Sequence, residues 1–402
     1  MRRPKVLFIS PWYPSPVKPV TGLFVQEYAK AVLPYCDVQV LHCAGRDRQL
    51  RGLWRMEQDD DPEMNQGIPT YRAWYRGLPQ DDAAYPLHLW STLQAFRRII
   101  SLGFQPDIIH AHVYKVAVPA GILGKLYRTP VVITEHATAF PRKTLRRTHV
   151  WTARLGFRWA HLVMPVSRSL QQAIESYGIR ARFRVVPNVV DTSLFNPEPV
   201  QPDEPHKRLL FVGAMRAKKG LPYLFHALAL LRRKRSDWHL DLIGEDPERN
   251  EYGRLVAELG LDDCVSFAGP KSKPEVADYM RRCHFFVLPS LFETFGVVLI
   301  EALAAGRPVV ATRIGGPDEI VTEDVGVLVP PGDAEALSAA IDHMLDHYHE
   351  FSPKALHAYV EQRYSYRVIG QELADIYDAA LGGQHASRTA GDAESPRLLD
   401  NP

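Results

Sequence analysis

Two glutamates eight residues apart, Glu293 and Glu301, bracket the run Thr294-Phe-Gly-Val-Val-Leu-Ile300. The stretch Gly296 to Ala305 is apolar and helix-compatible, Gly306 stops it, and Pro308-Val-Val-Ala-Thr312 reads as a buried strand. Glu293 is therefore expected at a helix N-terminus, where unpaired backbone N–H groups attract anions and hydroxyls. Glu301 follows about 12 Å further along at ~1.5 Å per residue, so the pair spans the ends of one elongated ligand, such as a sugar nucleotide. The competing reading is a first-turn charge followed by a solvated face.

A second constellation is Gly213-Ala-Met-Arg216-Ala-Lys218-Lys219-Gly220, a glycine-bounded turn between an apolar strand and the helical run Leu221 to Arg233. It carries three cations where a phosphate would sit, although an exposed basic loop has the same composition. Gly244-Glu-Asp-Pro247 and Gly269-Pro270-Lys271 also follow apolar strands, which predicts all four segments along one carboxyl edge. Arg and Lys keep their charge at neutral pH, as binding a diphosphate requires.

The elements that must hold these groups alternate between short Val/Ile/Leu/Phe runs and longer helical-period segments, the pattern of a parallel sheet covered on both faces. Strands are predicted at Val6 to Ser10, Val38 to His42, Ile108 to Ala111, Val131 to Thr134, Leu162 to Val166 and Phe183 to Val186. A proline-rich stretch from Pro187 to Pro205 reads as a linker, after which six more strands begin at Arg208, His239, Val265, Phe285, Val309 and Val325. The fold class is α/β, two doubly wound Rossmann-like domains facing across a cleft. Residues 1–198 form the first and 199–362 the second. Residues 363–382 form an amphipathic helix, and 383–402 a polar tail expected to be disordered.

Length supports two or three domains, and 48 basic against 46 acidic residues argue against a nucleic-acid partner. Four scattered cysteines, without a CxxC or Cys/His metal spacing, fit a reduced cytoplasmic protein with no structural zinc. No run reaches the length of a transmembrane helix.

These motifs together resemble the retaining glycosyltransferases of family 4, which have the GT-B fold. The carrying residues are Glu293-Thr-Phe-Gly-x4-Glu301, Ala304-Ala-Gly-Arg-Pro-Val-Val-Ala-Thr312 with Gly315-Gly316, the Gly213 to Gly220 turn, and Val186-Pro-Asn-Val-Val-Asp191. Thr21-Gly22-Leu-Phe-Val-Gln26, His110-Ala-His112 and Thr134-Glu-His136 look like the family's amino-terminal elements. The likeness covers roughly residues 4 to 381. It implies Lys219 on the donor diphosphate, Glu293 on the donor sugar hydroxyls, Glu301 on the nucleotide ribose and His136 near the sugar. It further implies donor contacts from Gly22, Gly213, Arg216, Lys218, Gly244, Pro270, Thr294, Phe295, Gly296 and Val297. Ala214 stands where the family often has arginine, leaving Arg216 or Lys218 to supply the second cation. Val189 replaces the usual glycine after the joint asparagine. His110 and His112 alternate onto one strand face and read as structural.

The implied reaction moves a sugar from a UDP- or GDP-sugar to a glycan or lipid-linked acceptor with retention of configuration. It needs no cofactor, and no carboxylate set for a metal is visible in the sequence. From His136 to Ile174 there are seven basic residues and no acid, among them Arg142, Lys143, Arg146 and Arg147, with Trp151, Phe157 and Trp159 interleaved. This stretch reads as an acceptor side or a peripheral dock on an anionic membrane surface, or as a solvated basic face. Around Leu87 to Ile100, Trp90, Leu93, Phe96, Arg97 and Arg98 suggest a second contact. The alternatives are a sugar-nucleotide epimerase or phosphorylase of the same fold, or a non-catalytic sugar-nucleotide binder. A dehydrogenase is disfavoured because neither first-strand turn reads G-x-G-x-x-G.

Overall fold

The computed structural model describes residues 2–47, 49–76, 85–197, 206–246 and 251–389, with the side chains of 46 and 383–389 excepted. The first lobe is a seven-stranded sheet in the order β3-β4-β2-β1-β5-β6-β7. Its strands are β1 (Lys5–Ser10), β2 (Asp37–Asp47), β3 (Trp54–Asp59), β4 (Thr70–Arg76), β5 (Ile108–His112), β6 (Val131–Glu135) and β7 (Leu162–Pro165). All neighbours are parallel except β3 against β4. The second lobe is an all-parallel six-stranded sheet in the order β10-β9-β8-β11-β12-β13. These strands are β8 (Lys207–Val212), β9 (Trp238–Ile243), β10 (Val265–Gly269), β11 (Phe285–Leu288), β12 (Val309–Thr312) and β13 (Gly326–Val329).

Strands β5, β6, β11 and β12 are buried along their whole length, because helices cover both faces of each parallel sheet. The strand order reverses between β1 and β5 in one lobe and between β8 and β11 in the other, so each sheet opens a crevice there at its carboxyl edge.

The helices used below are α1 (Leu23–Val32), α2 (Pro62–Asn65), α3 (Tyr85–Ser101), α4 (Ala117–Tyr127), α5 (Arg147–Trp159), α6 (Arg168–Glu175) and α7 (Leu221–Arg232). They continue with α8 (Glu251–Glu258), α9 (Lys273–Arg282), α10 (Val297–Ala304), α11 (Ala334–His347), α12 (Pro353–Tyr364) and α13 (Tyr366–Thr389). Local sequence sets several starts. The Ser167 hydroxyl accepts the Leu170 N–H at 3.1 Å at the head of α6, and the Glu275 carboxylate reaches back to the Ser272 N–H at 2.8 Å before α9. Helix α13 buries Ile369, Leu373, Ile376 and Tyr377 with Val25, Tyr28 and Val32 of α1, which returns the chain's end to the first lobe.

Three sequence expectations differ from this architecture. Residues 183–186 run beside β7, but only a single bridge, Phe183 to Val163, forms before Pro187 removes a donor. The β3–β4 pair was not predicted, since Trp54-Arg-Met-Glu-Gln-Asp59 is a polar, half-exposed edge strand without an apolar run. The last helix runs past Gly382 to Thr389, while the rest of the tail from 390, Pro247, and Pro199, Pro202 and Pro205 with the 198/199 boundary lie outside the described residues.

Candidate active site in the interlobe cleft

Lys219 ends a short 3-10 turn after β8, and Gly220 behind it packs so closely on the end of β11 that a Cβ would fall 2.1 Å from the Pro289 carbonyl oxygen. That contact draws the turn beside the 290–295 loop. The Leu291 N–H donates to the Lys218 carbonyl at 2.8 Å, and Lys219 Nζ pairs with Glu293 Oε1. The Ser290 hydroxyl also donates to Glu293 Oε1, at 3.1 Å. Burial pushes the Glu293 carboxyl up, but Lys219, Lys218 and the Ser290 hydrogen bond outweigh it and hold it below the ordinary range. Glu293 is thus an ionised hydrogen-bond acceptor. It lies in the loop three residues before the Gly296 cap, at the N-terminal end of α10 as the sequence suggested.

Burial lowers Lys218, and the charges of Lys219, Arg142 and Arg216 reinforce the shift, so four cations lie within electrostatic reach of one another. Arg216 is exposed. Arg142 comes from the first lobe and sets its guanidinium 5.8 Å from the Phe292 ring centroid, which puts it in the cleft and away from the outer basic stretch. Gly213 and Gly244 close the floor of this turn. A Cβ at Gly244 would lie 2.1 Å from the Gly213 carbonyl oxygen, and the Gly244 N–H donates to Gly269 at 3.0 Å, next to exposed Pro270.

The facing wall comes from the first lobe. Gly22 caps α1 at φ +78°, and a Cβ there would sit 2.3 Å from the Trp12 carbonyl carbon. Phe24 stacks on His136 at 4.2 Å between centroids, and His136 follows β6 directly. The Thr294 hydroxyl donates to the His136 carbonyl at 3.1 Å, and the Ser167 hydroxyl donates to the Thr294 carbonyl at 2.6 Å. These two bonds join the lobes at the site. The Phe295 side chain is buried against Tyr364, so only its backbone can meet a ligand. Gly296 caps α10 in the left-handed region at φ +97°, which leaves the Val297 N–H at the helix start.

Glu301 is half-buried one turn into α10, and burial is the main cause raising its carboxyl to about 7, with Lys273 opposing and Glu27 adding to the rise. Glu27 was not anticipated. It is a buried carboxylate on α1 that pairs with Lys273 of α9 and accepts from the Tyr366 hydroxyl, a second interlobe tie. Glu135 was also missed. It takes the N–H groups of Tyr114, His136 and Ala137 at 2.7, 2.9 and 2.7 Å. Its place at the end of the apolar run of β6 could have singled it out as a buried acid, but of its partners only Tyr114 comes from another strand end, while His136 and Ala137 follow it directly.

On the outer surface Lys143, Arg146 and Arg147 are exposed, and Arg147, Trp151, Arg154 and Arg158 form one exposed stripe along α5. Phe157 instead enters the core, and Trp159 packs on Gly121 and Lys125. Trp90 stacks edge-on against Trp54 and Phe96 is buried, which leaves Arg97 and Arg98 as the exposed members of that group. Among the described residues, no group of three or more His, Cys, Asp or Glu is placed to hold a metal, and no helix is long and apolar enough to cross a membrane.

The model of the glycosyl transferases group 1 family matches residues 193–363, and that of glycosyltransferase family 4 matches residues 36–194. A D-inositol 3-phosphate glycosyltransferase from Pseudarthrobacter chlorophenolicus is 32% identical over 295 residues, covering 67% of this chain and 69% of that one. A glycogen synthase from Mycobacterium tuberculosis is 29% identical over 308 residues, covering 73% and 74%. Among solved structures, Anabaena HepE in complex with UDP and glucose superposes with a TM-score of 0.74 at 23% identity, covering 94% of this chain and all of that one. With one of these families matched on each lobe and a relative of that identity across two thirds of both chains, this chain is a member of glycosyltransferase family 4, a GT-B glycosyltransferase of polysaccharide or glycoconjugate synthesis.

Proposed function

We propose that the chain is a retaining hexosyltransferase that takes its sugar from a UDP- or GDP-sugar and passes it to a glycan or lipid-linked acceptor without a metal ion. The observation that carries this reading is the convergence of Lys219, Lys218 and the ionised Glu293 at the β8/β11 crevice, opposite His136. Breaking the bond from the anomeric carbon to the diphosphate puts negative charge on the leaving group, and fixed cations aimed at that charge lower the barrier. Lys219 is assigned to the diphosphate, with Arg216 or Lys218 in place of the arginine absent at Ala214. Glu293, held ionised, accepts hydrogen bonds from sugar hydroxyls. Glu301 is assigned to the ribose.

Retention then follows if the acceptor hydroxyl attacks the face from which the diphosphate departs. The new C–O bond forms as the old one breaks, and the acceptor proton passes to the leaving diphosphate oxygen. HepE's complex with UDP and glucose supports a uridine donor, and the inositol 3-phosphate enzyme supports a small polar acceptor. The exposed α5 stripe favours an acceptor at an anionic membrane surface. The test is calorimetry and slow donor hydrolysis with a panel of UDP- and GDP-sugars. Release of nucleoside diphosphate and free sugar supports a transferase, release of an epimerised sugar supports the epimerase, and binding without turnover leaves a non-catalytic binder. No binding of any donor overturns all three.

A further inference from the structure

We propose that His112 is a positioning residue that holds His136 in a single tautomer, with its proton on Nδ1, so that the ring meets the donor sugar as a neutral hydrogen-bond donor. The inference rests on the reading that His136 lines the donor site.

Three imidazoles form a row beneath the cleft. His110 and His112 lie on one face of β5 with ring centroids 4.2 Å apart and planes 28° apart, and His112 and His136 are nearly parallel at 17° with centroids 5.6 Å apart. Phe8 packs against the first two rings at 4.7 and 5.0 Å, and Tyr28 lies within 6.5 Å of all three. His110 has both nitrogens committed, Nδ1 to the Tyr377 hydroxyl and Nε2 to the Thr134 hydroxyl, each at 2.7 Å. His112 Nδ1 faces His136 Nε2 at 3.3 Å, and His112 Nε2 is buried with no partner.

Burial keeps the row neutral. It lowers His110 and His136 to about 3, and His112 well below its ordinary value, with the neighbouring imidazoles reinforcing the shift in His112. Two neutral imidazoles that meet nitrogen to nitrogen share one proton. If His136 donated it, His112 would carry its own proton on Nε2, a buried N–H with nothing to receive it. If His112 donates from Nδ1, its Nε2 is only an unused acceptor. Buried orphan N–H groups are the rarer and costlier of the two. The second arrangement therefore holds, and the proton of His136 resides on Nδ1. Asn188, at the joint between the lobes, also interacts with the His136 ring, in the sense that favours its protonated form.

The test is a long-range proton–nitrogen NMR spectrum of the full-length protein with 15N-histidine, His136 being assigned from the signal lost in His136→Gln. The expected wild-type state is Nδ1–H. His112→Phe keeps a stacking ring but has no N–H to give. It should shift His136 toward Nε2–H and lower donor hydrolysis about 10- to 100-fold, with nucleoside diphosphate affinity within about twofold. His112→Asn places an amide N–H near the lost Nδ1 and should restore most of the rate. In a His136→Ala background, His112→Phe should have no further effect. An Nε2–H state in the wild type overturns the proposal, as does a rate loss from His112→Phe that persists without His136. Normal turnover by His136→Ala would instead remove the sugar contact assigned to His136, and the spectrum would still decide the role of His112. If His112→Phe does not fold, the wild-type spectrum alone decides.

Discussion

Lys219 and Glu293 are 74 residues apart in the chain, yet they form an ion pair at the β8/β11 crevice with side chains only 13% and 11% exposed. A buried pair is weak evidence for stability, because desolvation offsets the attraction, but removing one partner strands the other. The pair therefore fits a cation held in place before the donor diphosphate arrives. Lys219→Ala should cut turnover by a factor of about 100 to 1000 and weaken nucleoside diphosphate binding. The fold should survive, since Lys218 still faces Glu293. The double variant Lys219→Ala/Glu293→Gln should recover whatever thermal stability the single variant loses, without recovering activity. Calorimetry and turnover on the same preparations check both statements, and near-normal sugar transfer by Lys219→Ala ends the assignment.

Glu135 fixes the backbone that carries His136. Its carboxylate receives three main-chain N–H groups in a fully buried setting. Glu135→Ala would leave three buried donors without acceptors at about 1–3 kcal/mol each, so destabilisation of at least ~3 kcal/mol is expected in urea unfolding. Glu135→Gln keeps an acceptor oxygen and should lose less than half of that. Equal midpoints for Ala and wild type would mean that this carboxylate does not organise the loop.

Glu301 gives a pH dependence with a defined sign. Its carboxyl is raised from 4.5 to about 7 in the folded protein. Its stabilising contribution is therefore complete below about 4.5 and disappears as pH rises through about 7. Glu301→Gln mimics the protonated form. The variant should match wild type near pH 4.5 and exceed it at pH 8 by on the order of 1–2 kcal/mol, a figure reduced from the full shift because the carboxyl keeps some contact with water. Melting curves at the two pH values check it. A constant difference across the range would show that Glu301 titrates normally.

What could be read in the chain divides by distance and by local pattern. The second lobe was legible because each strand of its sheet is an apolar run ending near Gly or Pro, and its cations and Glu293 sit on glycine-marked loops at those ends. Phe295 looked like a ligand contact from its place in the motif, but an aromatic side chain beside an apolar helix start gains more by packing on Tyr364. The Glu27–Lys273 pair was not legible. Glu27 lies within an ordinary amphipathic helix, Lys273 is the first residue of another in the opposite lobe, and only lobe packing brings them together. Arg142 stood in a basic stretch whose neighbours face outward, and no local pattern marks the one that turns into the cleft.

The exposed face of α5 makes the acceptor side testable. Arg147, Trp151, Arg154 and Arg158 recur at helical spacing, Trp151 is 61% exposed, and no acid occurs between His136 and Ile174 to neutralise them. Arg154 is partly engaged through a bond to the Tyr177 carbonyl at 3.0 Å, so Lys143, Arg147 and Arg158 are the better targets. Each basic residue near an anionic bilayer contributes about 1 kcal/mol, so neutralising these three to Gln should weaken partition roughly 100-fold. Trp151→Ala should weaken it further by removing the interfacial aromatic ring. The measurement is flotation with phosphatidylglycerol vesicles at low and high salt, alongside donor hydrolysis in solution. Binding at low salt, its loss at high salt or in the triple variant, and unchanged hydrolysis would establish a surface separate from the donor site. Wild-type protein that stays unbound at low salt would remove the membrane from the proposal and leave the stripe as a solvated helix face.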